Sequence, residues 1–495
     1  MTPKFKRRLK RTSIVVVILF ILITRFFASS VLGEPFIGET ITNLFSAKEE
    51  PNLLSPEDLG MLKNAIHPIT IENAINDSLQ FDFLNEKLKN VEVIGLGEAT
   101  HGTKEFFELK NKMFKYLVEK QDVKLFGIEA NFAACYDINK YILTGEGNAK
   151  EALSRNGYWV WQSQEVLNLI EWMKDYNKDK TSNQKIQFYG YDMQDATSCV
   201  IWLENYLRKN SPSFDKNLLP EKIEENKAAL GDLDDKALDE MLRKNLNKLE
   251  NLEEFVLSQE IELFKQDSTD YKFAKQTIAV LRQKLNYFRE QDFNTAFSFR
   301  DSSMTQNIKW IRESNNNGKI MLWAHNGHIG KGTFSEDFKS GNWMGSHLNN
   351  LYGKKYFNIG FSFSEGGFVA QSPSSTNILY LMYSFTKSIF NDEPWPVSNN
   401  YVKPHSKSYL TNAFSQMNTP IFYIDFKDIE YNKKLKDFVN KDYEHYEAGA
   451  VYINEKSALW STNLYKYFDA IIYVDKTKPA ENFNLGKIAN LKNSH

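Results

Sequence analysis

Val91-Glu92-Val93-Ile94-Gly95-Leu96-Gly97-Glu98-Ala99-Thr100-His101-Gly102 begins as an apolar run and ends in a glycine-bounded turn with a carboxylate and an imidazole. A helical stretch, Lys104–Glu119, follows. Strand, polar turn and helix in succession form the unit of a parallel sheet. Four other apolar runs repeat the pattern. Lys124–Ile128 ends at Glu129, and Ile186–Tyr191 ends at Asp192. Lys319–Ala324 ends at His325-Asn326-Gly327-His328, and Tyr356–Ser362 leads to Ser364-Glu365-Gly366-Gly367. Thr419–Asp425 and Phe468–Val474 are further apolar strands. The alternation predicts an α/β fold: a mainly parallel sheet with helices on both faces. Carboxyl ends of parallel strands line one crevice. Glu98, His101, Glu129, His325 and His328 are therefore expected to converge.

The rest of the chain bounds this reading. At 495 residues with 42% hydrophobic content it can bury a large core. A net charge of −2, with no basic patch beyond residue 12, argues against a nucleic-acid partner. Two cysteines, Cys135 and Cys199, exclude a disulfide framework and a Cys-rich metal site. They leave one disulfide or two separate buried thiols. Residues 216–292 are rich in Lys, Glu, Asn and Leu, with apolar residues three and four apart, and predict an all-helical insertion over the crevice. A helix entered near Arg300 should end at Asn315-Asn316-Asn317-Gly318, with Gly318 as its left-handed cap.

The amino terminus reads differently. Lys4, Lys6, Arg7, Arg8, Lys10 and Arg11 precede an apolar run, Ser13–Thr24, which resumes after Arg25 as Phe26–Leu32. Residues 1–32 form an N-terminal hydrophobic segment, expected to be a signal peptide or an uncleaved signal anchor. Residues 33–57, with Gly33, Pro35, Gly38, Pro51 and Pro56, read as a linker. The body, 58–490, is then expected outside the cytoplasm, held at the membrane or secreted.

The chemistry resides in few residue types. Glu98 and His101 are three apart, so one turn puts both on one side, where a carboxylate orients an imidazole. His325 and His328, directly after an apolar strand, suit a metal or a base with its partner. Glu129 closes so apolar a strand that it needs a cation or a role in the site. Arg300 can supply that cation, or stabilise an oxyanion. Asp192 is a candidate contact or a helix cap. Trp159 and Trp161 are candidate walls of a substrate pocket, and Met304 is expected in the core. No Gly-x-Ser-x-Gly elbow occurs, which argues against a serine nucleophile.

Gly97-Glu98-Ala99-Thr100-His101-Gly102, Gly127-Ile128-Glu129-Ala130, Gly190-Tyr191-Asp192, Arg300-Asp301-Ser302-Ser303-Met304 and Trp323-Ala324-His325-Asn326-Gly327-His328 occur in an order that resembles the erythromycin esterase family. The resemblance covers roughly residues 60–480. It implies one cleft and hydrolysis of a carboxylic ester such as a macrolide lactone, without a metal or other cofactor. By resemblance, His101 is the base that activates water, Glu129 and His325 are its catalytic partners, and Glu98, Arg300 and His328 support them. The expected partners are a small-molecule ester and, through the N-terminal segment, a membrane. Two other readings of the same cleft are a metal-dependent hydrolase ligated by these His and Glu residues, and a non-catalytic surface binding protein.

Overall fold

A computed structural model describes residues 54–71, 79–221, 235–290, 293–332, 342–373 and 395–486. The N-terminal segment and nearly all of the linker lie outside the described residues. Among the described residues no helix is long and apolar enough to cross a membrane. The described chain enters at the helix Pro56–Asn64, whose first turn is closed by a capping box between Ser55 and Asp58.

The strands are β1 (Ile66–Pro68), β2 (Val93–Leu96), β3 (Val123–Asn131), β4 (Gln187–Asp192), β5 (Lys319–Trp323), β6 (Tyr356–Gln371), β7 (Val397–Val402), β8 (Ile421–Asp425), β9 (Tyr443–Tyr446), β10 (Leu459–Thr462) and β11 (Ala470–Thr477). The main sheet runs β1-β8-β11-β6-β2-β5-β3-β4. From β11 to β4 every neighbouring pair is parallel. β8 and β1 close one edge antiparallel. β7 adds antiparallel to the far end of β6. β9 and β10 form a separate hairpin.

Alternate strand residues feed two cores, one on each face. Val93, Leu125, Tyr191, Ile320, Leu322 and Ile471 face one core. There they meet the helix Ala196–Asn210 and the long helix Phe293–Ser314 through Cys199, Leu203, Leu207, Met304, Ile308 and Ile311. Ile94, Leu96, Phe126, Ile128, Met321 and Trp323 face the other. That core is closed by Lys104–Gln121 and Gln164–Asn177, which contribute Phe106, Phe107, Met113, Leu117, Val166, Leu169 and Ile170. Each such side chain contributes roughly 1.5–3 kcal/mol by leaving water.

Within 216–292 the described helices are Asp235–Ser258, Glu260–Gln266 and Ser268–Tyr287. Leu242, Leu249, Leu252, Ile278, Leu281 and Leu285 form their buried stripe and join the first core. The second break falls at Asp267, whose carboxylate caps the next helix through Thr269 and Asp270.

Two local expectations are corrected. Ser364-Glu365-Gly366-Gly367 does not end a strand: β6 runs on to Gln371. Gly366, at φ 127°, lets the strand bend there. Beyond the bend β6 pairs with β7, and Glu365 binds Lys476 at 2.8 Å instead of entering the crevice. The left-handed residues after Ser314 are Asn316 and Asn317, at φ 55° and 57°, not Gly318; asparagine tolerates this region. The expected turn is present at His101-Gly102, and Gly97 and Gly102 stand where a side chain would clash. A Cβ on Gly97 would lie 2.1 Å from Asn326 Oδ1, and one on Gly102 would lie 2.2 Å from the Val369 carbonyl.

Candidate active site

The ends of β2 and β5 lie level with Ile128 of β3, because Leu96 pairs with Trp323 and Trp323 with Ile128, and β3 carries Glu129 just beyond. The loops beyond them therefore meet. Glu98, two residues past β2, is fully buried. One of its oxygens receives His101 Nδ1 at 2.6 Å. The other accepts from Lys110 Nζ at 2.5 Å and Trp323 Nε1 at 2.7 Å. A carboxylate only accepts, so Nδ1 carries the shared hydrogen and Nε2 is the nitrogen left to exchange a proton with the site. Lys110 comes from the helix that follows the loop and sits over the Trp323 ring at 4.4 Å. Burial pushes its ammonium down to about 8, against the opposing charge of Glu98.

A second network lies beside the first. Arg300 sends Nη2 to Glu129 Oε1 at 2.8 Å and to Asp192 Oδ2 at 2.7 Å, and Nε to Asp192 at 3.2 Å. The neighbouring Asp301 holds His328 Nδ1 at 2.8 Å and accepts the Met344 backbone N–H at 2.7 Å. Burial disfavours a charged His328, but Asp301 and then Glu129 raise it to about 10. It is therefore an imidazolium whose Nε2–H faces Glu129 Oε1 at 3.2 Å. The 3.0 Å approach of Arg300 Nη1 to that nitrogen joins two cations around one carboxylate. Burial would raise Glu129, but His328, Arg300 and His101 hold it well below the usual carboxylate range.

His325 connects the two networks. Its backbone N–H donates to Glu129 Oε2 at 3.0 Å. Its Nδ1 accepts from the Gly327 N–H at 3.2 Å, which fixes the neutral tautomer with hydrogen on Nε2. Burial, followed by the charge of His101, holds His325 well below the ordinary histidine value. Its ring lies 5.0 Å from that of His101, centroid to centroid. Its Nε2 is buried without a hydrogen-bond partner.

All six expected cleft residues, Glu98, His101, Glu129, Arg300, His325 and His328, thus share one contact network. Asp192 joins them as the partner of Arg300; the cap of the following helix is Asp195. Arg300 spends Nε and Nη2 on Asp192 and Glu129, and its Nη1 faces the His328 ring. Trp159 is buried, and its carbonyl accepts from Asn482 Nδ2 at 2.7 Å. Trp161 meets the His101 ring edge-on at 5.8 Å, and its Nε1 donates to the Glu129 carbonyl at 2.9 Å.

The sequence reading missed Lys110, Asp301 and Glu447. Glu447 follows β9, and its Oε1 accepts from Asn326 Nδ2 at 2.8 Å. A signal was present: Glu98-Ala99, Glu129-Ala130 and Glu447-Ala448 are the same pair at three strand ends. Cys135 and Cys199 are both buried and unpaired. Among the described residues no group of three His, Cys, Asp or Glu side chains is arranged to hold a metal ion. A cavity of about 400 Å³ among Tyr136, Tyr189, Phe273 and Trp310 lies behind β4, away from this chemistry.

Fold and site together define an α/β protein with a histidine–carboxylate cluster at its strand ends. A family model described as erythromycin esterase matches residues 118–477, and the chain belongs to that family. Glu98, His101 and Lys110 lie just before the match. Erythromycin esterase type II of Escherichia coli is 24% identical over 450 residues, covering 84% of this chain and 96% of its own. YbfO of Bacillus subtilis, whose name assigns it provisionally to the hydrolases, is 24% identical over 338 residues, 62% of this chain and 72% of its own. Among solved structures, a Bacillus cereus protein superposes with a TM-score of 0.70 at 22% identity, covering 86% of this chain and 98% of its own. An erythromycin esterase mutant in its open conformation gives a TM-score of 0.55 at 18% identity, with coverages of 84% and 98%. These likenesses establish the fold, and the family and the names of its relatives support a hydrolase.

Proposed function

We propose that the chain hydrolyses carboxylic esters, cyclic esters among them, by direct attack of water. The observation that carries this is the His101–Glu98 pair: a 2.6 Å contact leaves Nε2 of a partly exposed imidazole as the free base. His101 takes a proton from water, a contribution of typically about 10²–10⁴-fold. The partnerless His325 Nε2–H donates to the oxygen that gains charge as the tetrahedral intermediate forms. Glu129 anchors the His325 backbone, and Arg300, Asp192 and His328 anchor Glu129. Trp161 walls the base. Among the described residues no serine hydroxyl hydrogen-bonds His101, which supports water as the nucleophile. The names of the Escherichia coli relatives support a macrolide lactone as the substrate class. The basic flank and apolar run at residues 4–32 support export of the body to the outer side of the membrane.

The test is hydrolysis of a panel of macrolide lactones and simple esters by the full chain and by His101→Ala. Turnover of at least one ester that falls about 10²-fold or more in the variant supports the reading. A panel left untouched by the native chain, or an undiminished variant, ends it.

A further inference from the structure

The mechanism above leaves one buried carboxyl without a task. Glu447 is 7% exposed. Its backbone N–H is held by the Ala458 carbonyl at 2.7 Å, and the next N–H, of Ala448, by the Ala99 carbonyl at 2.7 Å. Glu447 is thus tied to the loop that carries Glu98 and His101. Oε1 accepts from Asn326 Nδ2, while Oε2 is buried with no hydrogen-bond partner. Oε2 lies 3.5 Å from His325 Nε2, the other partnerless polar atom of the cleft. The two atoms lie side by side without hydrogen-bond geometry, each with its polar capacity unspent.

Resting on the ester-hydrolase reading, we propose that Glu447 is the general acid of the reaction: its protonated Oε2 donates to the leaving oxygen while His325 Nε2–H holds the carbonyl oxygen. Two donors side by side form a site for two oxygens on one tetrahedral carbon. As the C–O bond to water forms, its proton passes to His101 Nε2. As the bond to the leaving oxygen breaks, the Glu447 proton passes to that oxygen, giving acid and alcohol. The histidinium and the carboxylate then exchange one proton through solvent, which restores both groups.

The surroundings keep this proton available. Asn326 occupies Oε1, so the hydrogen sits on Oε2. Burial raises the carboxyl to about 8, with the Asn326 bond opposing. The charged and titratable groups around the pair are His101 after β2, Lys110 on the following helix, Glu129 on β3, and His325 with His328 after β5. A carboxyl raised to about 8 keeps its proton near neutral pH, as an acid catalyst must.

The test compares an alkyl ester with the p-nitrophenyl ester of the same acid. An alkoxide needs a proton to leave, and a nitrophenolate does not. Glu447→Gln keeps the shape and the Asn326 contact. It should lose about 10²-fold or more on the alkyl ester and little on the nitrophenyl ester. Equal losses on both, or none on either, would overturn the assignment. Should the variant fail to fold, the native chain provides the same comparison: alkyl-ester turnover should fall as pH rises through about 8, and nitrophenyl-ester turnover should not. Parallel profiles would overturn it equally. A native chain inactive on both esters and on the wider panel removes the hydrolase reading itself, and this inference with it.

Discussion

Replacing His328 by Gln tests the buried ion network through its pH dependence. In the folded chain His328 is raised from 6.5 to about 10 by Asp301 and Glu129, against the cost of burial. A raised folded-state pKa gives stability that is full below 6.5 and is lost as pH climbs to about 10. Each pH unit between those values contributes roughly 1.4 kcal/mol, so the whole window is worth on the order of 5 kcal/mol. Relaxation and rearranged partners reduce that figure, so a change of about 3–5 kcal/mol is a fair expectation. Two neighbours also titrate. Glu447, raised to about 8, removes stability between the usual carboxylate range and 8. Lys110, lowered to about 8, restores some between 8 and 10.5. Both act in native and variant alike, so the difference between the two isolates His328. Urea unfolding of native and His328→Gln protein at pH 6, 8 and 10 measures it. The native advantage should be largest at pH 6 and mostly gone at pH 10. An advantage that is the same at pH 6 and pH 10 would refute an imidazolium held by Asp301 and Glu129.

Other outcomes follow from the same geometry. Lys110→Met leaves Glu98 buried without its cation and should cost about 3–5 kcal/mol in the same unfolding assay; a loss near zero would remove Lys110 from the support of Glu98. Cys135 and Cys199, both buried thiols raised by desolvation, should resist a thiol reagent in the folded chain and yield two thiols on unfolding without reductant. Protease added to intact cells should digest the body from about residue 50 onward, or the body should appear in the medium; complete protection in the cytoplasm would contradict export.

Much of this was legible in the chain. Val93–Leu96, Lys319–Trp323 and their neighbours are apolar on both sides, as strands buried on both faces must be, and each ends where a polar side chain takes over. That change of character marks the site, because a charged group is tolerated there only at the rim of the core or among partners. Pairings between distant segments were not legible. Lys110 lies within a helix whose neighbouring residues are core, and only the Glu98 loop above it explains a fully buried ammonium. Arg300 reads as a candidate oxyanion donor, and only the fold shows Nε and Nη2 spent on Asp192 and Glu129. Glu447 follows a short hairpin strand with a weak signal, and its place beside His325 depends on an Ala448–Ala99 contact that no local pattern encodes. The bend at Gly366 was hidden for the same reason: β6 continues because β7 waits to pair with it.

The most direct measurement is the time course of product release by the native chain and by His101→Ala on an ester that the native chain turns over, at neutral pH. Direct water attack with His101 as base gives a linear course with no burst and no acyl group on the chain. The variant should then be folded and slower by about 10²-fold or more. A burst matching the enzyme concentration with a trapped acyl-serine, or a variant as fast as the native chain, would contradict it.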